Sequence, residues 1–131
     1  MEKNQETLEA YLASWKAGDF ESMFELCQLT WKEGKNVIGL KNLAGRNIPS
    51  DYKIISSTTV SSVLRCFAVE LYFTNGGAIS AVVNVICESA PYKTAPYGTW
   101  GVNPVSALRP VVVISKPGGK APVKKTAAKK K

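Results

Sequence analysis

Residues 63–88 read VLRCFAVELYFTNGGAISAVVNVICE, two runs in which hydrophobic residues occupy every second position, joined by a short turn. Alternation with a period of two is typical of β-strands that bury one face. Asn75-Gly76-Gly77 supplies residues that tolerate positive φ, as the tight turns of β-hairpins require. The stretch therefore predicts an antiparallel hairpin made of one strand at residues 63–74 and another at residues 78–88.

The two faces of this hairpin differ in polarity. The more hydrophobic face of the first strand carries Arg65, Phe67, Val69, Leu71 and Phe73, and that of the second carries Ile79, Ala81, Val83, Val85 and Cys87. Glu70 of the first strand and Glu88 of the second alternate onto the more polar face, as in sheets that pack on one side only. Three further segments rich in β-branched residues are predicted as strands: 52–59, 99–102 and 111–114.

Upstream of the strands, the hydrophobic spacing changes to that of helices. Four residues fall at i, i+3, i+4 and i+7 and share one helical face: Leu8, Tyr11, Leu12 and Trp15. Gly18 can end this helix in the left-handed conformation, and Asp19 suits the N-cap of a second helix that continues to Gly34. A shorter third helix is predicted before Gly45. Helices first and an antiparallel meander afterwards predict the α+β class.

The net charge of +7 is confined to the end of the chain. Residues 1–115 balance ten basic side chains against ten acidic ones, so all seven surplus lysines lie in residues 116–131. That segment combines Lys with Pro, Gly and Ala, and it offers too little apolar area to offset the entropy lost on ordering. We predict one domain at residues 1–115, followed by a disordered basic tail at residues 116–131.

The basic tail has two interpretations. Clustered lysines attract polyanions by releasing counterions, which gives nucleic-acid binding without base specificity. The alternative is a solubilising terminus that has no specific partner. The predicted nucleic-acid contacts are Lys116, Lys120, Lys124, Lys125, Lys129, Lys130 and Lys131.

Several kinds of site are excluded by the residues present. The chain has no histidine, and Cys27, Cys66 and Cys87 are widely spaced among hydrophobic residues, which indicates buried thiols and neither a disulfide framework nor a metal site. No nucleotide-binding or nucleophile motif occurs, so no metal or cofactor is expected. No apolar run approaches the roughly 20 residues that cross a bilayer. We therefore expect a soluble protein without a membrane partner, cytoplasmic or, if phage-encoded, in a virion.

The order of elements and several short motifs resemble the nuclear-transport-factor-2-like superfamily. The motifs are WKAGDF at residues 15–20, YKI at 52–54, the two strands across NGG at 75–77, and GTWGV at 98–102. The resemblance spans about residues 4–114. It implies helices packed in a curved, mostly antiparallel sheet, which forms a cone with a pocket at its open end. It also implies that the outer sheet face often makes a dimer.

The superfamily includes ketosteroid-isomerase-like and polyketide-cyclase-like enzymes as well as noncatalytic binding and assembly modules. Its enzymes generally pair an Asp or His base with a hydrogen-bond donor in the pocket. An isomerase, cyclase or dehydratase here would use Glu70 or Glu88 as the base. The candidate donors are Tyr72, Tyr92 and Tyr97. In the noncatalytic alternative, Glu70 pairs with Arg65 or Lys53 on a solvated or interfacial sheet face.

The late aromatic residues point to a surface for other proteins. Tyr92, Tyr97 and Trp100 are predicted to line the pocket mouth or a protein interface, with packing against the core as the alternative. Of the two functions, we predict the noncatalytic binding or assembly module, because it needs no residue that the sequence lacks. Such a module is expected to be a homo-oligomer, a dimer or higher, with protein partners, as in a viral or phage structural component.

Overall fold

The computed structural model describes residues 2–89 and 93–116. Helices come first, followed by three long strands and then by shorter strands and one helical turn. The helices are α1 (Lys3–Ala17), α2 (Phe20–Glu25), α3 (Leu29–Lys32), α4 (Val37–Ala44) and α5 (Pro104–Ala107). The strands are β1 (Asp51–Ser61), β2 (Leu64–Tyr72), β3 (Ala78–Ser89), β4 (Lys93–Thr94), β5 (Thr99–Val102) and β6 (Pro110–Ser115). The predicted α+β class is confirmed.

The first helical corner forms as its sequence predicts. Gly18 ends α1 with φ of 74°, and its N–H donates to the carbonyl of Trp15 at 3.0 Å. Asp19 is the N-cap of α2, where its carboxylate accepts from the Ser22 backbone N–H at 3.2 Å. The Ser22 hydroxyl, which donates to Asp19 Oδ2 at 2.7 Å, and the Ser22 N–H together hold the pKa of Asp19 below its usual value. The helix predicted before Gly45 is α4, which Asn36 caps by accepting from Gly39 N–H at 2.8 Å.

The prediction of one continuous second helix is wrong. The chain leaves the helix after α2 and restarts as α3, with Cys27 between them in an isolated parallel bridge to Val102 of β5. Gln28 N–H donates to the Val102 carbonyl at 2.9 Å, and Val102 N–H donates to the Leu26 carbonyl at 2.8 Å. Pairing with a strand replaces the helical hydrogen bonds of this segment, because a backbone group satisfied by a distant partner is no longer free for its own turn.

Strand β3 is the centre of the sheet. It pairs antiparallel with β2 along its length, in a register that sets Phe67 opposite Val83 and Val69 opposite Ala81. Strand β1 pairs antiparallel with the far side of β2. On the edge of β3 opposite β2, β6 pairs with the beginning of the strand and β5 with its end. The described sheet therefore has β1 as the outer strand on one side, and β5 and β6 share the other side.

The helical turn α5 fills the gap between β5 and β6. Asn103 caps α5 by accepting from the N–H groups of Val105 and Ser106 at 3.0 and 3.2 Å. Its own N–H donates to the Asn84 carbonyl at 2.9 Å, and Asn84 N–H donates to Ser106 Oγ at 3.0 Å. The backbone of β3 at Asn84, which lies between its pairing with β5 and its pairing with β6, is thus hydrogen-bonded by α5 and its cap.

One hydrophobic core joins the helices to the sheet. The predicted face of β2 and β3 is half-buried at Arg65, Phe73 and Ile79, and it is fully buried at its other positions, which are Phe67, Val69, Leu71, Ala81, Val83, Val85 and Cys87. Its core partners come from α1, α2 and α4. The central members of this cluster are Leu8, Tyr11, Leu12, Trp15, Met23, Leu40, Phe67, Val69, Leu71, Val83 and Val85.

Because β5 lies close to the break between α2 and α3, we predict that position 101 in β5 does not tolerate a side chain. A Cβ at Gly101 would lie 2.6 Å from Gln28 Cα and 2.8 Å from the Cys27 carbonyl oxygen. We expect Gly101→Ala to lower the free energy of unfolding by about 2–3 kcal/mol, measured by urea denaturation. The control is Gly39→Ala in α4, whose Cβ would meet its nearest atom at 3.5 Å. Equal stability of the two variants would contradict the packing argument.

Candidate functional site

A cavity of about 220 Å³ lies between the end of α1, the β2–β3 turn, α5 and β6. Its walls are mainly hydrophobic. Asn47, Asn75 and Ser115 supply polar groups. The largest apolar contributors are Trp15, Phe73, Ile79, Leu108, Pro110 and Val113.

The chemistry of this cavity is that of a hydrophobic binding site. Trp15 is almost fully buried, and its indole N–H already donates to the Ala44 carbonyl at 2.9 Å. Ser115 Oγ donates to the Gly76 carbonyl at 2.6 Å, and Asn75 Oδ1 accepts from Gly77 N–H at 2.9 Å. None of the described lining residues is titratable. The cavity therefore selects by shape and apolar contact, with amides and one hydroxyl for orientation.

Glu70 and Tyr72, two of the residues predicted for catalysis, contact each other outside this cavity. They point to the same face of β2, and the Tyr72 hydroxyl donates to the Glu70 carboxylate. That hydrogen bond, with smaller contributions from burial and from nearby negative charge, raises the pKa of Tyr72 to about 12. Lys53 is the cross-strand neighbour of Glu70 in β1. Neither Glu70 nor Tyr72 lines the cavity.

The expected pairing of Glu70 with Arg65 is wrong. Residues 65 and 70 are an odd number of positions apart in β2, so their side chains leave opposite faces of the strand. Arg65 forms its ion pair with Glu2 and donates to Asn4 Oδ1 at 3.3 Å and to Ser57 Oγ at 2.7 Å. Arg65 thus connects the beginning of α1 to β1 and β2.

Glu88, the second predicted base, is a buried structural carboxylate that is 3% exposed. One oxygen accepts from Thr30 N–H at 3.0 Å. The other accepts from Thr30 Oγ1 at 2.6 Å and from Gln28 Nε2 at 3.1 Å. Burial alone would raise the pKa of Glu88, but the hydrogen bonds from Thr30 and Gln28 outweigh it and lower the pKa. The charged carboxylate therefore holds α3 against the end of β3.

The aromatic residues predicted at an interface occupy different environments. Tyr97 lies in the turn before β5 and is 84% exposed. Trp100 is half-buried on β5 and packs against the core, as the alternative interpretation expected. Tyr92 lies outside the described residues. The interface role stays a prediction for Tyr97, and the structure gives Trp100 a packing role.

The cysteines are free thiols. Cys27 and Cys87 are buried as predicted, whereas Cys66 is half-buried and donates to Asn84 Oδ1 at 3.2 Å. Burial raises the pKa of the Cys27 thiol to about 12, which keeps it protonated and unreactive. Within the described ranges, no cluster of three or more His, Cys, Asp or Glu residues could hold a metal ion.

Of the lysines predicted to contact nucleic acid, Lys116 follows β6 and is exposed. The other six lie outside the described residues. Among the predicted site residues that the structure describes, Glu70 and Tyr72 contact each other. Sequence reasoning missed the cavity walls contributed by α5 and β6. Asn103-Pro104 was an available signal for α5, because Asn favours the N-cap and Pro the first helical position.

Comparisons with protein-family models, with curated proteins and with solved structures found no match. No helix among the described residues is long and apolar enough to cross a membrane.

The Glu88 network predicts a stability change that depends on pH. We expect Glu88→Gln to lower the free energy of unfolding by about 2 kcal/mol at neutral pH, because Thr30 and Gln28 lose a charged acceptor. The folded-state pKa of Glu88 is lowered, so its contribution is present above the ordinary Glu pKa of about 4.3. It is lost as the pH falls through the folded-state pKa.

Urea denaturation at about pH 7 and about pH 3 measures this difference. The matched control is Glu33→Gln at an exposed position, for which no comparable change is expected. A loss of stability for Glu88→Gln that is the same at both pH values would contradict a stabilising carboxylate.

Proposed function

We propose that the chain is a noncatalytic binding and assembly module of the nuclear-transport-factor-2-like type. Its cavity would hold an uncharged hydrophobic group, and its basic tail would contact nucleic acid or another acidic surface. One observation carries the proposal: the cavity is lined by no titratable side chain among the described residues, while Glu70 and Glu88 are hydrogen-bonded elsewhere.

The arrangement of the elements supports the fold type proposed. The first two helices, divided at Gly18, and the later α4 share one core with an antiparallel sheet. The cavity lies where the end of α1 meets the turn of the central hairpin. Helices packed on an antiparallel sheet with a pocket beside them support the proposal of a cone with a pocket at its open end, which the resemblance implies.

Catalysis of the isomerase, cyclase or dehydratase kind receives no comparable support. General base catalysis needs a carboxylate within hydrogen-bond reach of the proton that it removes. The polar groups at the cavity are the amides of Asn47 and Asn75 and the hydroxyl of Ser115. None of these has the basicity for that role, so the cavity is better suited to binding.

Charge distribution supports the assembly part of the proposal. Residues 1–115 carry no net charge, so the domain has no overall repulsion against a second copy or a protein partner. The seven lysines of the basic tail provide attraction for polyanions that is separate from the domain. A structural component of a virus or phage is one setting that requires both properties.

A cavity-filling variant tests the hydrophobic binding site. Val113 lines the cavity and is 54% exposed, so a larger side chain can enter without displacing the core. Dry apolar cavities of this order bind benzene-like molecules. We expect toluene to give saturable NMR shifts of the cavity residues, and Val113→Phe to abolish them. The control, Val112→Phe, changes the neighbouring residue on the other face of β6.

Saturable shifts that persist in Val113→Phe would place the toluene site elsewhere. An absence of saturable shifts in the unaltered protein would contradict the binding function of the cavity.

The basic tail is tested by duplex DNA binding across a salt series. Seven neutralised phosphates limit the log-log salt slope to about −6. We expect the full chain to bind with a slope no steeper than this. The truncation to residues 1–115, and a full-length variant with its seven tail lysines replaced by glutamine, should lose binding. Equal binding by the truncated chain would assign the contact to the domain, and binding by neither chain would remove nucleic acid from the proposal.

A further inference from the structure

Two of the polar groups that line the cavity have fixed hydrogen-bonding directions. Asn75 and Ser115 are bonded to the turn between β2 and β3, whereas the exposed Asn47 side chain makes no hydrogen bond with the described residues. Asn75 and Ser115 both bond to one peptide group, the one that joins Gly76 to Gly77. This shared partner decides what each of them can offer to a bound molecule.

Asn75 offers the cavity a hydrogen-bond donor. The Gly77 N–H can only donate, so the side-chain oxygen of Asn75 is the atom that lies 2.9 Å from it. That contact fixes the orientation of the side-chain amide, because its oxygen and nitrogen cannot exchange places without losing the bond. The amide nitrogen makes no hydrogen bond with the described residues, so its N–H groups remain available to a ligand.

Ser115 offers the cavity a hydrogen-bond acceptor. Its Oγ lies 2.6 Å from the Gly76 carbonyl oxygen, which can only accept, so the single hydroxyl proton of Ser115 is used in that bond. The Ser115 oxygen keeps its lone pairs. The cavity therefore presents one fixed donor and one fixed acceptor, and a matching ligand supplies the opposite of each.

These two groups approach the turn peptide from different sides. The C=O and N–H of a trans peptide point in opposite directions, so Ser115 and Asn75 do not meet it at the same place. A ligand therefore needs its acceptor and its donor on different atoms. A neutral carboxamide has this arrangement, because its carbonyl oxygen can accept from Asn75 while its N–H donates to Ser115.

Charged headgroups match the cavity less well. A carboxylate has only acceptors and would set one of them against the lone pairs of Ser115, while an ammonium has only donors and would oppose the N–H groups of Asn75. No lining residue among those described carries a charge that could balance either headgroup. Removing an unpaired charge from water costs far more than removing an uncharged polar group that is then hydrogen-bonded.

The walls behind these polar groups suit a flat hydrophobic body. Trp15 and Phe73 supply aromatic rings, and the other large lining side chains are aliphatic. An apolar cavity of about 150 Å³ can hold benzene, so the 220 Å³ present here leaves room for a ring and a small headgroup. Asn75 is exposed and Ser115 is half-buried, which places the headgroup at the mouth of the cavity and the ring inside it.

We infer that the cavity binds a small aromatic molecule that carries a neutral carboxamide, with its ring against Trp15 and Phe73 and its headgroup between Asn75 and Ser115. This inference rests on the proposed binding function and names the chemical class of the ligand. The peptide at the centre of the NGG turn then has a second role besides connecting β2 to β3, because it sets the polarity of the groups that recognise the headgroup.

Three probes of nearly the same shape separate the two hydrogen bonds. α-Methylstyrene carries neither polar atom, acetophenone carries the acceptor alone, and benzamide carries both the acceptor and the donor. The full chain and its variants are titrated with each probe, and binding is followed by the NMR shifts of the cavity residues. The cost of removing a probe from water is the same for every variant, so it cancels when the ratio of two affinities is compared between variants.

We expect Ser115→Ala to lower the ratio of benzamide affinity to acetophenone affinity about two- to tenfold, because only benzamide donates to Ser115. Ser115→Thr keeps the hydroxyl and should restore the ratio. The matched control Ser56→Ala, at an exposed position outside the cavity, should leave the ratio unaltered. Asn75→Asp keeps an oxygen for the Gly77 N–H but removes the donor, so it should lower the ratio of acetophenone affinity to α-methylstyrene affinity about two- to tenfold.

Three results would overturn the inference. These are a benzamide-to-acetophenone ratio that Ser115→Ala leaves unchanged, an acetophenone-to-α-methylstyrene ratio that Asn75→Asp leaves unchanged, and benzoate that binds as tightly as benzamide at neutral pH. If any of them occurs while toluene and α-methylstyrene bind saturably, the hydrophobic binding function stands and the carboxamide is wrong. If no probe binds saturably, the inference and the proposed binding function both fail.

Discussion

The backbone of Val102 is hydrogen-bonded to both sides of the break between α2 and α3, and the positions of the helices relative to the sheet depend on this pairing. Residues 26–28, whose sequence predicts a helix, instead pair with β5 through this contact. Gly101 permits the approach, since a side chain there would overlap the backbone of Gln28. The Glu88 carboxylate then satisfies Thr30 at the beginning of α3. A charge that could have served catalysis is therefore committed to joining the helices to the end of β3.

Strand β3 connects this helical segment to the rest of the domain through its pairing partners. One edge is paired with β2 from Ala78 to Ile86, while the other is shared among β5, the cap of α5 and β6. The division of this second edge has a consequence for function. The chain does not continue along β3 directly from β5 to β6, because α5 lies between them. Hydrophobic side chains of α5 and β6 therefore line the cavity together with Trp15 and Phe73. The same division places β6 at the outside of the sheet with its hydrophobic residues exposed.

The parts of the fold that could be predicted are those encoded by neighbouring residues. The central hairpin follows from alternation around the NGG turn, and the first corner follows from Gly18 and Asp19. The break at Cys27 could not be predicted in this way, because that residue continues the hydrophobic stripe and its backbone partner lies far along the chain. Glu88 was correctly placed on a strand, but its partners on the helical segment have no local signature. The cavity likewise draws residues from separate elements, whereas α5 had a usable cue in Asn103-Pro104.

The separation of charge between the domain and the basic tail connects the two proposed activities. A domain without net charge can approach a second copy or a protein partner without overall repulsion. In an assembly of such domains, however, each copy would carry a tail with seven lysines, so neighbouring tails would repel each other. A bound polyanion neutralises that repulsion. Nucleic acid would therefore favour the assembly without contacting the domain, and the assembly would in turn align the tails along one polyanion. Neither contact needs to be strong by itself, because linked weak contacts reinforce one another once the geometry allows both.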